Sequence, residues 1–201
     1  ERIFAPYIFD SFYTDLCYDK ENGDYFVLNN EVRYNDDDVR KPWCEYPVEM
    51  ASGTVRSLGK YTRMYYENAT VRYINSIRYS GVCFAAAEAY ARDERPEKAI
   101  STVNRLLGSY GAELLDTSLR GDELIEAILK EKHKEFVGEG VRYFDLKRLG
   151  KPLNRYKNYG AGVSSVIQPD DYRWLFPIPE SEYKYNDLMY QNPEWPFIKT
   201  E

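Results

Sequence analysis

The sequence has little of what metal and nucleophilic chemistry uses. It holds one histidine and three cysteines, and no cysteine pair has the spacing of a zinc site. Cys17, Cys44 and Cys83 cannot all pair with one another. Cys83 lies in an apolar helical stretch and reads as a small buried side chain, whereas Cys17 and Cys44 either form one bridge or stay free. No stretch reaches the roughly 18 consecutive apolar residues of a membrane span. The most apolar segment, Val82 to Ala91, is short and interrupted by Glu88. Cationic excess is missing too: 27 Lys+Arg stand against 33 Asp+Glu, a net charge of −6. With no Lys/Arg cluster to neutralise phosphates, nucleic acid is excluded as a partner. The chain starts at Glu1 without Met, signal peptide or acylation motif, and is expected to be a processed product or a fragment.

What is present is globular and aromatic. The 201 residues, 43% hydrophobic and 30% charged, exclude collagen-like, low-complexity and wholly disordered chains and allow one substantial core. Aromatics make up 16% of the chain, and its 20 Tyr outnumber its Leu. Tyrosine joins a flat apolar face to a hydroxyl, so the surplus fits either a recognition surface for sugars or peptides or a wet core rim.

Three zones follow one another. From Glu1 to about Asn68 the chain is aromatic, punctuated by Gly and Asp, and without sustained helical periodicity. Tyr25 to Leu28 and Val71 to Ile74 have strand character, and Asp36-Asp37-Asp38 reads as a polar turn that lacks the spaced ligands of a calcium loop. From about Ile77 to Gly150 the period becomes helical. Tyr79, Val82, Cys83, Ala86, Ala87 and Tyr90 share one face. Pro96 opens a second helix carrying Ala99, Ile100, Val103, Leu106 and Leu107, and Gly108 closes it. The two form an αα-hairpin like a tetratricopeptide unit, which needs neighbouring helices to cover its faces. A third helix runs from about Asp122 to Gly138 on a stripe of Leu124, Ile125, Ile128, Leu129 and Phe136. Beyond Gly150 the tail reads as loops and short turns.

One segment is specific. Ile128 to Arg148 reads I-L-K-E-K-H-K-E-F-V-G-E-G-V-R-Y-F-D-L-K-R. It resembles the signature of the RagB/SusD family, with Glu131, Lys132, Glu135, Phe136, Glu139, Gly140, Arg142, Asp145, Leu146 and Arg148 on matching positions. His133 stands where the family has a second Arg. Leu175-Phe176-Pro177-Ile178-Pro179, then Glu182, Asn186 and Gln191-Asn192-Pro193, resembles the family's closing element, with Glu194 and Trp195 as departures. Ile77-Arg78-Tyr79 leading to Ala87-Glu88-Ala89 resembles its earlier helix. Three ordered motifs at compatible spacing outweigh any single match.

The physical role of the signature is architectural. Glu131 and Glu135 lie one turn apart, with Lys132, His133 and Arg142 at hand as partners. Gly140 is expected to end the helix at positive φ, and Arg142 and Asp145 to pin the next turn. An acid/base pair for glycoside hydrolysis is the other reading of such carboxylates, but interleaved cations favour a scaffold.

The resemblance implies a mainly α, SusD-like fold: a tetratricopeptide-like hairpin plus a further helix, with long aromatic-rich loops and few short strands. On this reading residues 1–70 form a loop-rich ligand-side segment and 71–201 the C-terminal helical region, the N-terminal repeats lying outside the sequence. It implies a surface-exposed lipoprotein of the bacterial outer membrane, held by an N-terminal lipid anchor that this chain lacks. Such proteins bind oligosaccharide, or peptide, for a SusC-like TonB-dependent transporter, without catalysis or cofactor. No contact carries over by motif. Composition offers Tyr34, Asp38, Arg40, Trp43 and Tyr46 as ligand contacts on an apparent loop, Asp38 and Arg40 also resembling a D-x-R element of structural use. Trp43 and Tyr46 are alternatively a cover for the helical core. Trp174 is expected in the core, and Tyr61, Tyr65 and Tyr66 line it. Asn68-Ala69-Thr70 fits a glycosylation acceptor without meaning in a bacterial protein. A helical adaptor that docks proteins in its hairpin groove is the other class.

Overall fold

A computed structural model describes residues 7–9, 18–19, 24–25, 28, 31–50, 53–60, 71–73, 77–156, 163–183 and 188–196. Cys17, Tyr61, Tyr65, Tyr66, Asn186 and the Asn68-Ala69-Thr70 triplet lie outside them. In chain order the elements are β1 (Tyr7–Phe9), β2 (Tyr18–Asp19), β3 (Asp24–Tyr25), α1 (Lys41–Cys44), β4 (Glu45–Met50), β5 (Gly53–Leu58), β6 (Val71–Tyr73), α2 (Tyr79–Arg92), α3 (Pro96–Tyr110), α4 (Gly121–Glu135), α5 (Val141–Arg148), β7 (Leu153–Tyr156), β8 (Val163–Ile167) and α6 (Glu180–Tyr183). Strands pair antiparallel in twos: β1 with β6, β2 with β3, β4 with β5 and β7 with β8. Helices dominate, as the resemblance implied.

The described residues divide into two units, Glu1–Arg142 with Asn158–Ala161, and Tyr143–Lys157 with Gly162–Glu201. The division falls inside α5. Residues 31–50 and 53–60 belong to the same unit as α2, α3 and α4, and buried side chains join them, as the candidate site below details.

The core of the first unit sits among α2, α3 and α4, where Phe84, Val103, Leu107, Leu124 and Ile128 are fully buried. The expected face of α2 is displaced. Ser80, Cys83, Phe84, Ala87, Glu88 and Ala91 point inward, while Tyr79 and Val82 are 51% and 59% exposed. The helix is apolar nearly all round, so periodicity could not fix the angle. Phe84, edge-on to Phe136, fixes it instead. Glu88 is tolerated inside because Arg92, one turn on, bonds its carboxylate at 2.8 and 3.0 Å.

Helix α3 begins at Pro96 as expected but runs past Gly108 to Tyr110, and Gly111 at φ +69° is the left-handed cap. There Ala112 N–H donates to Leu107 O at 3.0 Å, the closing bond of a Schellman turn. The cap also receives the 36–40 turn, whose Val39 N–H donates to Tyr110 O at 2.9 Å. A Cβ on Gly111 would stand 2.6 Å from the Asp37 carbonyl oxygen. Helix α4 keeps its predicted stripe but ends at Glu135. Gly140 has φ +75° as expected, at the entry to α5 and not at the helix end.

A smaller core lies under the β4–β5 hairpin: Leu28, Val32, Tyr34, Cys44 and Leu58, with Val137 against it. The region read as a loop from Tyr34 to Tyr46 is in fact a turn, α1 and the first residues of β4. Cys44 is a buried free thiol. Burial pushes that thiol above its ordinary value.

In the second unit Leu146, Ile167 and Trp174 form the core, placing Trp174 where expected. The tail holds the β7–β8 hairpin that the Gly-rich sequence between its strands disguised. Asp145, buried, is bonded by Arg148 at 2.8 and 2.9 Å. The closing motif has a physical explanation. Pro177 and Pro179 have no N–H to put into a strand ladder, and side chains bond the backbone of this segment instead. Gln191 bonds both N–H and C=O of Ile178 at 2.7 and 2.9 Å, Asn192 Nδ2 donates to Phe176 O at 2.7 Å, and Trp195 Nε1 to Leu175 O at 2.7 Å.

Two predictions follow from these details. Gly111→Ala and Gly121→Ala both force alanine to positive φ, but Gly121 at φ +51° has nothing within 4 Å of its missing Cβ. Gly121→Ala should cost about 1 kcal/mol in urea unfolding and Gly111→Ala at least about 2 kcal/mol; equal losses would mean that the Asp37 contact is slack. In the second unit Asp171 accepts from the side chain and backbone N–H of Arg173 at 2.7 to 2.9 Å, which holds its carboxyl down to about 2. A depressed carboxylate contributes fully above its ordinary value near 3.8 and loses that contribution as pH falls through about 2. A carbon-13 carboxyl titration should therefore find the Asp171 midpoint near 2, and an ordinary midpoint would mean that the bonds from Arg173 do not form.

Candidate functional site

Two of the signature carboxylates, Glu135 and Glu139, converge on a buried ionic cluster at the C-terminal end of α4. Glu135, 3% exposed, accepts from Arg78 Nη1 at 2.6 Å and from Arg40 Nη1 at 3.0 Å. Tyr110 OH donates to it at 3.4 Å. Glu139 accepts from Lys60 Nζ and Arg78 Nη2, both at 2.9 Å. Asp38 takes Arg40 in a two-pronged pair, Nε at 3.0 Å and Nη2 at 2.8 Å, and accepts the Arg40 backbone N–H at 2.9 Å. The Arg40 guanidinium stacks on Tyr110 at 4.4 Å and lies 5.3 Å from the Tyr34 ring centre. Arg78 covers Phe136 at 4.5 Å.

The backbone explains the location. A helix leaves its last carbonyls without partners and its C-terminus partly negative. Here Tyr34 OH donates to Lys134 O at 2.6 Å, and Glu135 O accepts from Arg78 Nη2 at 3.0 Å and from Lys60 Nζ. The cations thus cap the helix and neutralise its carboxylates together. Burial works against the Arg40 charge, but the bonds to Asp38 and Glu135 outweigh it and leave the guanidinium more basic than usual. Burial raises the Tyr34 hydroxyl. Burial, then the neighbouring Glu135 charge, pushes Tyr110 up to about 12. These shifts move groups away from neutral pH, the reverse of what a general acid or base requires.

Spacing in the sequence offers Lys132, His133 and Arg142 as partners for Glu131 and Glu135. The structure pairs Glu131 with Lys134 at 2.5 Å, and Glu135 and Glu139 with residues 57 to 95 positions away. Arg78 carried a signal in the I-R-Y motif. Lys60 and Tyr110 carried none.

The five proposed ligand contacts do not converge. Tyr34, Asp38 and Arg40 are 6%, 3% and 9% exposed and belong to the cluster just described. Trp43 on α1 is 58% exposed. Tyr46 is half-buried on β4, opposite Ser57. Beside Trp43 in sequence, Lys41 and Pro42 line a hollow of about 510 Å³ with Asp36, Glu45, Pro47 and Arg56. Strand alternation would have pointed to Glu45 and Pro47, one face of β4, with Arg56 across from Pro47. A second hollow of about 350 Å³ lies among Glu31, Glu126, Lys130, His133 and Arg142. Among the described residues no three His, Cys, Asp or Glu side chains could hold a metal ion, and no helix is long and apolar enough to cross a membrane.

The sequence matches the SusD family, SusD_RagB, over residues 2–195. The chain belongs to the SusD family. No curated protein matches it. Among solved structures it is similar to a SusD superfamily protein from Bacteroides vulgatus, with 28% identity and a TM-score of 0.66 over 81% of this chain and 37% of that one. A SusD superfamily protein from Bacteroides fragilis is 25% identical at a TM-score of 0.56, over 74% and 33% of the two chains. A SusD-like carbohydrate binding protein from Bacteroides vulgatus shares the fold at 22% identity and a TM-score of 0.63, over 89% and 44%. The chain spans less than half the length of these solved relatives.

Within this SusD-family chain the ionic cluster makes a direct prediction. Glu135→Ala takes from the buried Arg40 and the half-buried Arg78 their shared carboxylate and should cost about 3–5 kcal/mol. Glu113→Ala on the surface should cost less than about 0.5 kcal/mol. Chemical denaturation measures both, and a loss under about 1 kcal/mol for Glu135→Ala would remove the cluster from its structural role.

Proposed function

We propose that this SusD-family protein binds oligosaccharide at the bacterial cell surface, without catalysis, and hands it to a SusC-like TonB-dependent transporter of the outer membrane. A lipid anchor outside this sequence would hold it there. One observation carries the reading: the signature carboxylates Glu135 and Glu139 are engaged in buried ion pairs, while the indole of Trp43 is exposed and its sequence neighbours Lys41 and Pro42 line a hollow that carries two ion pairs. An exposed indole offers a flat face to the C–H side of a pyranose, and paired donors and acceptors beside it match hydroxyls. Carboxylates saturated by guanidinium and ammonium donors are poor proton shuttles. The carbohydrate-binding description of one relative with this fold is consistent with the proposal.

Calorimetry on the full-length protein tests it. Trp43→Ala should weaken oligosaccharide binding about tenfold, or about 1.4 kcal/mol, with an unchanged melting temperature. Peptide binding with no response to any glycan would transfer the role to peptide capture. Affinity only for helical protein partners would favour an adaptor.

A further inference from the structure

We infer that the hollow on the β4–β5 hairpin is a subsite that selects neutral sugar units over anionic ones. The inference rests on the glycan reading above and gives that site a substrate class.

Two ion pairs form the hollow's polar lining. Lys41 Nζ meets Asp36 Oδ1 at 2.5 Å, and Arg56 Nη1 meets Glu45 Oε1 at 2.7 Å. Both pairs retain access to solvent: the Lys41 side chain is 35% exposed, Asp36 94% and Arg56 30%, with Glu45 at 10%. The pairs are neighbours, since Lys41 feels both the Glu45 and the Arg56 charges. Pro42 and Pro47 supply the apolar part of the surface. The parity of the hairpin assembles this set: Glu45 and Pro47 lie two residues apart on β4, Arg56 pairs with Pro47 across the ladder, and Tyr46 with Ser57 occupies the opposite face. At about 510 Å³ the hollow falls within the range of small-molecule sites, about 300–1,000 Å³.

The charge balance decides the ligand. An anionic sugar would bring its carboxylate or sulfate beside Asp36 and Glu45, and an amino sugar its ammonium beside Lys41 and Arg56. Either gains one attraction at the cost of a repulsion. A neutral hydroxyl suffers neither. It accepts from the ammonium or guanidinium and donates to the carboxylate, joining an ion pair without upsetting its neutrality. Charge-assisted bonds of this kind are roughly twice as strong as neutral ones, and the proline C–H surfaces take the apolar face of the ring. Vicinal hydroxyls of an uncharged hexose or pentose unit fit this arrangement.

The test uses the full-length protein and calorimetric titration with gluco-, manno- and xylo-oligosaccharides against oligogalacturonides and chondroitin-derived oligosaccharides. A neutral ligand should bind at least tenfold more tightly than any anionic one, with little dependence on salt. Lys41→Met and Asp36→Asn, both at accessible positions, should each lower neutral affinity about fivefold. Asp36→Asn, which leaves the hollow net positive, should also narrow the preference over oligogalacturonide. Thermal melting would show that both variants are folded. Neutral-glycan affinity untouched by either substitution would overturn the subsite while the glycan function stands. A wild-type preference for anionic sugars would overturn the selectivity. Absence of all glycan binding would overturn both this subsite and the function it rests on.

Discussion

The bond set around Glu135 is the constraint on which the first unit depends. Bringing a carboxylate and two guanidinium groups out of water costs several kcal/mol per ion, and mutual attraction offsets that only when nearly every donor and acceptor is matched. Glu135 meets the condition by sharing its two oxygens between Arg40 and Arg78 while its own carbonyl takes Lys60 and Arg78. Each cation enters from a different segment: the turn before α1, the residues after β5, and the residue before α2. The set is complete only when all three segments are docked. The cluster therefore makes their assembly cooperative in a way that an apolar contact of equal area, tolerant of partial docking, would not.

That constraint also shapes the surface. With Arg40 drawn inward by Asp38 and Glu135, the turn from Asp36 to Arg40 lies flat on the α3 cap, where Gly111 leaves room for the Asp37 carbonyl. The short helix α1 starts directly after it, so Cys44 points into the small core while Trp43 is left outside. Inner and outer faces of β4 are fixed from the same origin, because Glu45 follows Cys44 without a break and strand parity does the rest. The exposed indole and the hollow are thus consequences of a buried ion pair some residues earlier.

The sequence made the family and the helical order legible, since helix stripes and a spaced signature are local patterns. It also pointed to ion pairing of the carboxylates, because cations alternate with them, and Glu131, Glu135 and Glu139 are indeed paired. It did not reveal which cations answer them. Lys132 and His133 lie one and two positions from Glu131, pointing elsewhere around the helix, whereas Arg40 and Arg78 come from far away in the chain. The α2 face was misjudged for a related reason: with alanines on most sides, only the tertiary contact of Phe84 with Phe136 sets the angle. Gly108 looked like a helix end, yet the positive φ belongs to Gly111, and a helix interior tolerates one glycine at a cost of about 1 kcal/mol. Pro47 hid β4 by removing a ladder donor, which an edge strand survives.

Tyr34, Asp38 and Arg40 show why composition misleads about binding sites. Tyrosine, aspartate and arginine are the residues of sugar recognition, and they are equally the residues that seal a charged interior, because both tasks need rings beside charge-assisted bonds. What separates the two is whether the bonding capacity is already used. Asp38 accepts three N–H groups from Arg40 alone, and the Arg40 guanidinium is enclosed by Glu135 and two tyrosine rings. A hydroxyl could enter there only by displacing a matched ionic bond with a weaker one. On the hairpin surface, by contrast, the Lys41–Asp36 pair borders solvent, and water already competes for its bonds. On the proposed reading, a sugar hydroxyl replacing that water would exchange like for like, and C–H contacts with the prolines would be a net gain.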